Sequence, residues 1–237
     1  MSQQRQFNNW ISPEGNLFVS TKDLRFNLVY TKGVANPESG THFFFISFEG
    51  IHKGSPITAR GLSGKTGKSY LPDLARIVQN PNLEGRYVEI GAGVGEFIPA
   101  LVENNNLRYR PVIIDPADYQ LMSVLLDYGS RFVVDKDHRD QLKQLQERCS
   151  IILDPTRVEL INTGVEEAIG QCPGLHNYAD VLVNNFGPYR WTLAGNRNRP
   201  EGEIRRIENI ELSLLKDGGK LYLEDRVLIK SEGRLIV

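Results

Sequence analysis

Two rhythms of apolar and polar residues run along this chain, and the change from one to the other divides it. Up to about residue 62, short runs rich in aromatic and β-branched residues, Leu24–Thr31 and His42–Glu49, flank a loop carrying Gly33, Pro37 and Gly40. Such runs around turn formers predict a hairpin or two adjacent strands. The spacing turns helical from Leu71 to Val78, and Pro81, Asn82 and Gly85 then break it. Beyond this point strand-like and helix-like patterns alternate. The strands fall at Arg86–Ile90, Arg110–Asp115, Arg157–Asn162, Asp180–Asn184 and Lys220–Glu224. Helices fall at Phe97–Asn104, Tyr119–Tyr128, Asp137–Arg148 and Ile204–Leu215, while Ile151–Asp154 reads equally as an extra strand or the tail of a loop. Alternation of this kind predicts an α/β domain with a mostly parallel central sheet and helices on both faces. The expected organisation is a β-rich N-terminal extension over residues 1–62 and a larger domain over residues 63–237.

The most informative segment is Tyr87-Val-Glu-Ile-Gly-Ala-Gly-Val-Gly95. A short apolar strand carries an acid, Glu89, near its tip, and three glycines at alternate positions follow before an amphipathic stretch. Glycines there let the backbone approach a ligand closely, with a helix N-terminus just behind. A dinucleotide fingerprint, Gly-x-Gly-x-x-Gly, needs glycine or alanine at position 96, where this chain has Glu96. A carboxylate at a helix start is the wrong charge for a pyrophosphate. A nicotinamide-dependent oxidoreductase is disfavoured on that ground and by the lack of a Tyr-x-x-x-Lys pair.

Glu89 followed by Gly91-Ala92-Gly93-Val94-Gly95 resembles the first motif of the class I S-adenosylmethionine-dependent methyltransferases. Two later landmarks occur in the family's order: Pro111-Val-Ile-Ile-Asp115, an apolar strand ending in an acid, and Leu214-Leu-Lys-Asp-Gly-Gly219 leading into a strand. The resemblance covers roughly residues 85–224. It implies a Rossmann-like methyltransferase fold with S-adenosylmethionine as cofactor. Glu89, Gly91, Ala92, Gly93 and Gly95 would hold the methionine portion, and Asp115 the ribose hydroxyls. At the third strand the family's acidic contact is missing. Thr163, Gly164 and nearby backbone would take the adenine unless Glu166 supplies the acid; Glu166 and Glu167 otherwise read as a solvated first helical turn.

At the fourth strand Asn184-Asn-Phe-Gly-Pro-Tyr189 is similar to the Asn/Asp-Pro-Pro-Tyr/Phe tip of family members that methylate exocyclic amines, with one residue too many. Asn184 is assigned to the cofactor side, Asn185 and Tyr189 to orientation of the acceptor. An amine acceptor is weakly favoured, and small molecule, protein and RNA stay open. The rival reading is a methyltransferase-fold module that has lost catalysis and binds or scaffolds a partner.

Charge and composition narrow this picture. The 237 residues carry 28 Lys and Arg against 29 Asp and Glu, a net charge of −1. No overall field draws the chain to nucleic acid or anionic membrane. Arg190, Arg197, Arg199, Arg205 and Arg206 form a locally basic stretch, but Glu201, Glu203 and Glu208 interleave with it, which reads as a salt-bridged solvated face. Cys149 and Cys172 read as reduced thiols, and His42, His52, His138 and His176 lack metal or dyad spacing, so no metal is expected. Gly64-Lys-Thr-Gly-Lys-Ser69 has Leu62 where a phosphate loop needs glycine. It reads as a linker, with Lys68 or Tyr70 in reach of the cofactor's carboxylate as one possibility. No membrane-spanning run is present, and a cytoplasmic protein is the expectation. Little chain follows the fifth strand. Residues Val227–Lys230 and Arg234–Val237 are expected to make a short hairpin, with the sheet edge ending early or covered by the N-terminal strands.

Overall fold

A computed structural model describes residues 7–13, 17–21, 26–31, 35–36, 41–42, 45–52, 55–56, 76–79, 82–93, 97–104, 106–134, 136–184, 201–223 and 226–237. The chain divides into two compact units, one of residues 1–67 and 117–150, the other of residues 68–116 and 151–237.

The first unit holds an antiparallel sheet of β1 (Phe7–Ile11), β2 (Leu17–Thr21), β3 (Phe26–Thr31), β6 (Phe45–His52) and β7 (Ser55–Pro56), in that order, with a small β4–β5 ladder at Ala35–Asn36 and Thr41–His42. The expected pairing is present: Phe26 lies opposite Gly50 and Thr31 opposite Phe45. Helix α2 (Tyr119–Ser130) packs on β2 and β3. Its start is capped by Asp118, whose side chain accepts from Leu121 N at 2.9 Å, which satisfies one of the orphan donors of the first turn. Tyr128 of α2 receives a hydrogen bond from Asn9 Nδ2 at 3.0 Å, and its ring lies 5.0 Å from that of Phe7. Helix α3 (Lys136–Ile152) follows. The ambiguous segment from Ile151 thus begins as the end of a helix rather than as a strand.

The second unit is a mixed α/β body around a seven-stranded, mainly parallel sheet. Its strands are β9 (Tyr87–Ile90), β11 (Val112–Ile114), β12 (Glu159–Ile161), β13 (Ala179–Val183), β14 (Leu215–Leu223), β15 (Arg226–Ser231) and β16 (Arg234–Ile236). The spatial order is β12-β11-β9-β13-β14-β15-β16. The five parallel strands therefore run 3-2-1-4-5 by their order in the sequence, which is the doubly wound arrangement. Short β8 (Asn82–Leu83) and β10 (Asn106–Leu107) form a separate parallel pair.

Pleating decides what each face buries, since successive side chains point to opposite sides. Val88, Ile90, Val112, Ile114, Leu182 and Leu221 share one core with Val165 and Ala168 of α4 (Val165–Gln171) and Leu214 of α5 (Glu201–Leu214). On the other pleat, the ring of Tyr87 lies 6.3 Å from that of Phe97 in α1 (Phe97–Asn104). Helices thus cover both faces, as expected. The amino ends are tied as well: Asp180 accepts from Arg86 N at 2.8 Å and from Lys216 Nζ at 2.9 Å.

One expectation is corrected. The sheet edge does not end at the fifth strand, because β15 pairs antiparallel with β14 and β16 with β15. The hairpin around Glu232 and Gly233 extends the sheet and satisfies the β14 edge directly. Within β14, the close approach to β13 depends on Gly219, where an added Cβ would lie 2.8 Å from Ala179 O and 2.9 Å from Lys216 O. Gly170 in α4 has open space around it and an ordinary backbone conformation. Urea denaturation should therefore show opposite signs at two glycines. Gly219→Ala should cost about 1–3 kcal/mol through the backbone clash, and Gly170→Ala should stabilise by about 0.5–1 kcal/mol through helix entropy.

Candidate functional site

Candidate residues are brought together by register. Val88 and Ile90 stand opposite Val112 and Ile114, and Ile114 stands opposite Ile161. Asp115, one residue on, is therefore level with Gly91 on one side and Asn162 on the other. Val183 is paired with Glu89, so Asn184 ends the fourth parallel strand level with Ile90. Glu89, Asp115, Thr163 and Asn184 thus sit at the carboxyl ends of four adjacent parallel strands, where the strand order reverses. In open α/β sheets that is where ligands bind.

Backbone hydrogen bonds hold the turn after β9 in place. Gly91 N donates to Ile114 O at 2.9 Å, and Gly93 N donates to Asp115 Oδ2 at 2.8 Å. Both glycines are left-handed, with φ of 64° for Gly91 and 58° for Gly93. A side chain at either position would cost about 1–2 kcal/mol of backbone strain, which explains the glycine at each better than ligand contact alone. Glu89 is buried and its Oε2 accepts from Ile98 N at 3.2 Å, in the first turn of α1. Both acids therefore bond to the backbone on either side of residues 94–96. Asp115 is held from behind by Asn162 Nδ2, which donates to its carbonyl at 2.9 Å.

At the third strand, Thr163 is buried and donates its hydroxyl to Glu167 Oε2, while Gln171 Nε2 donates to Glu167 Oε1 at 3.0 Å. Gly164 caps α4 and has nothing within 4 Å of an added Cβ. Glu166 pairs with Arg206 Nε at 2.9 Å, so the helix-start reading describes it. It is Glu167 that stands beside Thr163. Within the basic stretch, Arg205 pairs with Glu201 and Arg206 with Glu166, as a salt-bridged face would. Gly95, Glu96, Asn185 and Tyr189, like Lys68, Tyr70, Arg190, Arg197 and Arg199, lie outside the described residues.

The structure adds a residue that sequence reasoning missed. Glu211 of α5 is fully buried and accepts a hydrogen bond from Asn184 Nδ2. Burial pushes its carboxyl up to about 7, the Asn184 amide opposes this, and the nearby charge of Glu208 adds to it. A signal was available. Ile207, Glu211 and Leu214 are the buried residues of α5, at the i, i+4, i+7 spacing of an apolar stripe. An acid on that stripe is an anomaly worth reading.

Both cysteines are free thiols, and burial pushes that of Cys149 up to about 12. Among the described residues no group of His, Cys, Asp and Glu is placed to hold a metal ion, and no helix is long and apolar enough to cross a membrane.

No protein-family model matches the chain, and no curated protein matches it. Solved structures of distant similarity include the following two. A structural-genomics target from Corynebacterium glutamicum is 15% identical with a TM-score of 0.33, over 63% of this chain and 54% of that one. A presumed methyltransferase from Thermoplasma acidophilum is 10% identical with a TM-score of 0.34, over 90% of this chain and 70% of that one. Likeness at this level carries no argument about activity, and the site must be judged on its own chemistry.

That chemistry makes Asp115 a stabilising residue before any ligand arrives. Asp115→Ala deprives Gly93 N of its acceptor and should cost about 1–3 kcal/mol in thermal or urea unfolding. Asp115→Asn, which keeps a neutral acceptor oxygen, should recover only part of that loss.

Proposed function

We propose that this chain is an S-adenosylmethionine-dependent methyltransferase built on a Rossmann-like methyltransferase fold, with an amine as the favoured acceptor. The observation that carries the reading is the pair of carboxylates, Glu89 and Asp115, bonded to the backbone N–H groups of Ile98 and Gly93 on either side of residues 94–96. The described polar groups at the strand ends are acidic or neutral: Glu89, Asp115, Thr163, Glu167 and Asn184. Such a set suits a ligand bearing positive charge and hydroxyls, and opposes a pyrophosphate. S-adenosylmethionine is a sulfonium ion with an amino group and a ribose, and it matches on each count.

When bound, this cofactor supplies an electrophilic methyl group. The protein's residues do the rest by placement. The left-handed glycines remove side chains from the approach to Glu89, and Asp115 would accept from the ribose hydroxyls. Thr163 and Gly164 border the adenine side. Asn184 ends the fourth strand at the side where Asn185 and Tyr189 would orient the acceptor. Methyl transfer is an in-line displacement, so most of the acceleration comes from holding two partners in line, and no strong base is required.

Titration calorimetry tests the reading directly. S-adenosylmethionine and S-adenosylhomocysteine should bind in the micromolar range, about −8 kcal/mol, NAD should not bind, and Gly93→Arg should abolish binding. Gly164→Ala fits the open space at that position, so a loss of affinity in that variant reports direct contact rather than misfolding. A folded protein that binds neither sulfur ligand sinks the proposal. Binding that survives in Asn185→Ala, with no transfer by the native protein to amines, proteins or RNA, assigns the chain to the binding-module class instead.

A further inference from the structure

Asn184 and Glu211 are joined by one hydrogen bond, from Nδ2 to Oε1. Among the described residues, the other oxygen of each group, Asn184 Oδ1 and Glu211 Oε2, is buried and finds no partner. These two orphans are the complementary atoms of the same two side chains. A carboxylate cannot serve Oδ1, because both groups would then present acceptors to one another. A carboxylic acid can. One proton on Oε2 donates to Oδ1 and closes an eight-membered ring of two hydrogen bonds, leaving neither atom unsatisfied.

We propose that Glu211 is held protonated in the folded protein as the acid half of a cyclic acid–amide pair with Asn184, and that it thereby positions the fourth-strand tip for ligand binding. The proton comes from solvent during folding. Burial and the neighbouring charge of Glu208 favour it, in the same direction as the geometry. Of the basic groups on α5 and the strands beside it, Arg206 of α5 pairs with Glu166 of α4 and Lys216 of β14 with Asp180 of β13. Lys220 of β14 is exposed, and Lys230 of β15 donates to the carbonyls of Leu212 and Leu215. Glu167 of α4 holds Thr163 and Gln171. Arg205 of α5 pairs with Glu201 on its own helix.

The assignment of Asn184 to the ligand rests on the methyltransferase reading; the proton does not. Two sets of measurements separate them. Burial raises the folded-state pKa of Glu211, so its stabilising contribution is complete below the unfolded value of 4.5 and is lost as pH rises through about 7. Urea unfolding of the native protein relative to Glu211→Gln should lose stability over that window, and a carboxylic-acid carbonyl band in the infrared spectrum at pH 6 should vanish in the variant. A flat stability difference with no such band overturns the proposal. Glutamine reproduces the neutral pair, donating to Oδ1 and accepting from Nδ2. S-adenosylhomocysteine should therefore bind Glu211→Gln equally at pH 6 and pH 8, while the native protein binds about tenfold more weakly at pH 8, as its protonated fraction falls. Glu211→Leu, which leaves the Asn184 amide without either partner, should bind more weakly than Glu211→Gln at both pH values. Equal affinity in the Leu and Gln variants, or one pH profile shared by the native protein and Glu211→Gln, overturns the positioning role. A pH-dependent stability difference in a protein that binds no sulfur ligand leaves the protonated pair standing and removes the methyltransferase reading.

Discussion

The hydrogen bond from Gly93 N to Asp115 Oδ2 couples the two strand ends on which the site depends. A chain leaving the carboxyl end of a parallel strand has to reverse toward its helix within a few residues, and its N–H groups there have no neighbouring strand to pair with. Gly91 answers this by donating to Ile114 O, and Gly93 by donating to the Asp115 side chain. The left-handed conformation of both residues aims those donors at β11, which is why glycine stands at each. An acceptor that is ionised makes this bond worth about 1.5–3 kcal/mol, against about 1 for a neutral one. Glu89 then anchors the far side of the same turn through Ile98 N at the start of α1. An acid at that point gains from the positive end of the helix as well as from the bond.

This arrangement has an electrostatic consequence. A helix N-terminus behind a glycine turn ordinarily welcomes an anion. Here that field is already answered by Glu89, and Asp115 adds a second negative charge at the neighbouring strand end. A diphosphate brought to this turn meets carboxylates on both sides, whereas a cation or a hydroxyl meets acceptors. Glycine turns that look alike in sequence are thus separated by what the adjacent strand ends carry. The fold alone does not make that distinction.

Much of this was legible in the amino-acid order, and the reason is geometric. Parallel strands covered on both faces read as short unbroken apolar runs, and Val112–Ile114 and residues 181–183 do so, each followed by a polar residue of the candidate site. Helix α1 was readable to its last residue because Asn104 closes an amphipathic pattern that Phe97 opens. Two features were not readable. The grouping of residues 117–150 with the N-terminal strands depends on tertiary contacts of α2, and a local pattern shows only that α2 is amphipathic. The C-terminal hairpin was anticipated, but its consequence for the edge was not, because pairing with β14 is a matter of register. Glu211 was hidden differently. Its stripe position was visible, while its partner, Asn184, lies 27 residues away, beyond any local pattern.

Why an acid should occupy that stripe is a question of competing magnitudes. Leaving an ionised carboxylate in a dry interior costs several kcal/mol. Protonating one at neutral pH, starting from an ordinary acidity near 4.5, costs about 3 kcal/mol. The second cost is the smaller once the protonated form also satisfies Asn184 Oδ1, since an unsatisfied buried acceptor forfeits about 1–3 kcal/mol more. An apolar residue at 211 would avoid the first two costs, yet it would incur the third and leave the Asn184 amide buried with no partner for either end. The acid on α5 is therefore explained by the amide on β13, and the amide by its place at the strand end level with Ile90. A local conflict between an apolar stripe and a charged residue is the signature expected where function overrides packing. Here it lies at the strand end where the glycine turn and Asp115 converge.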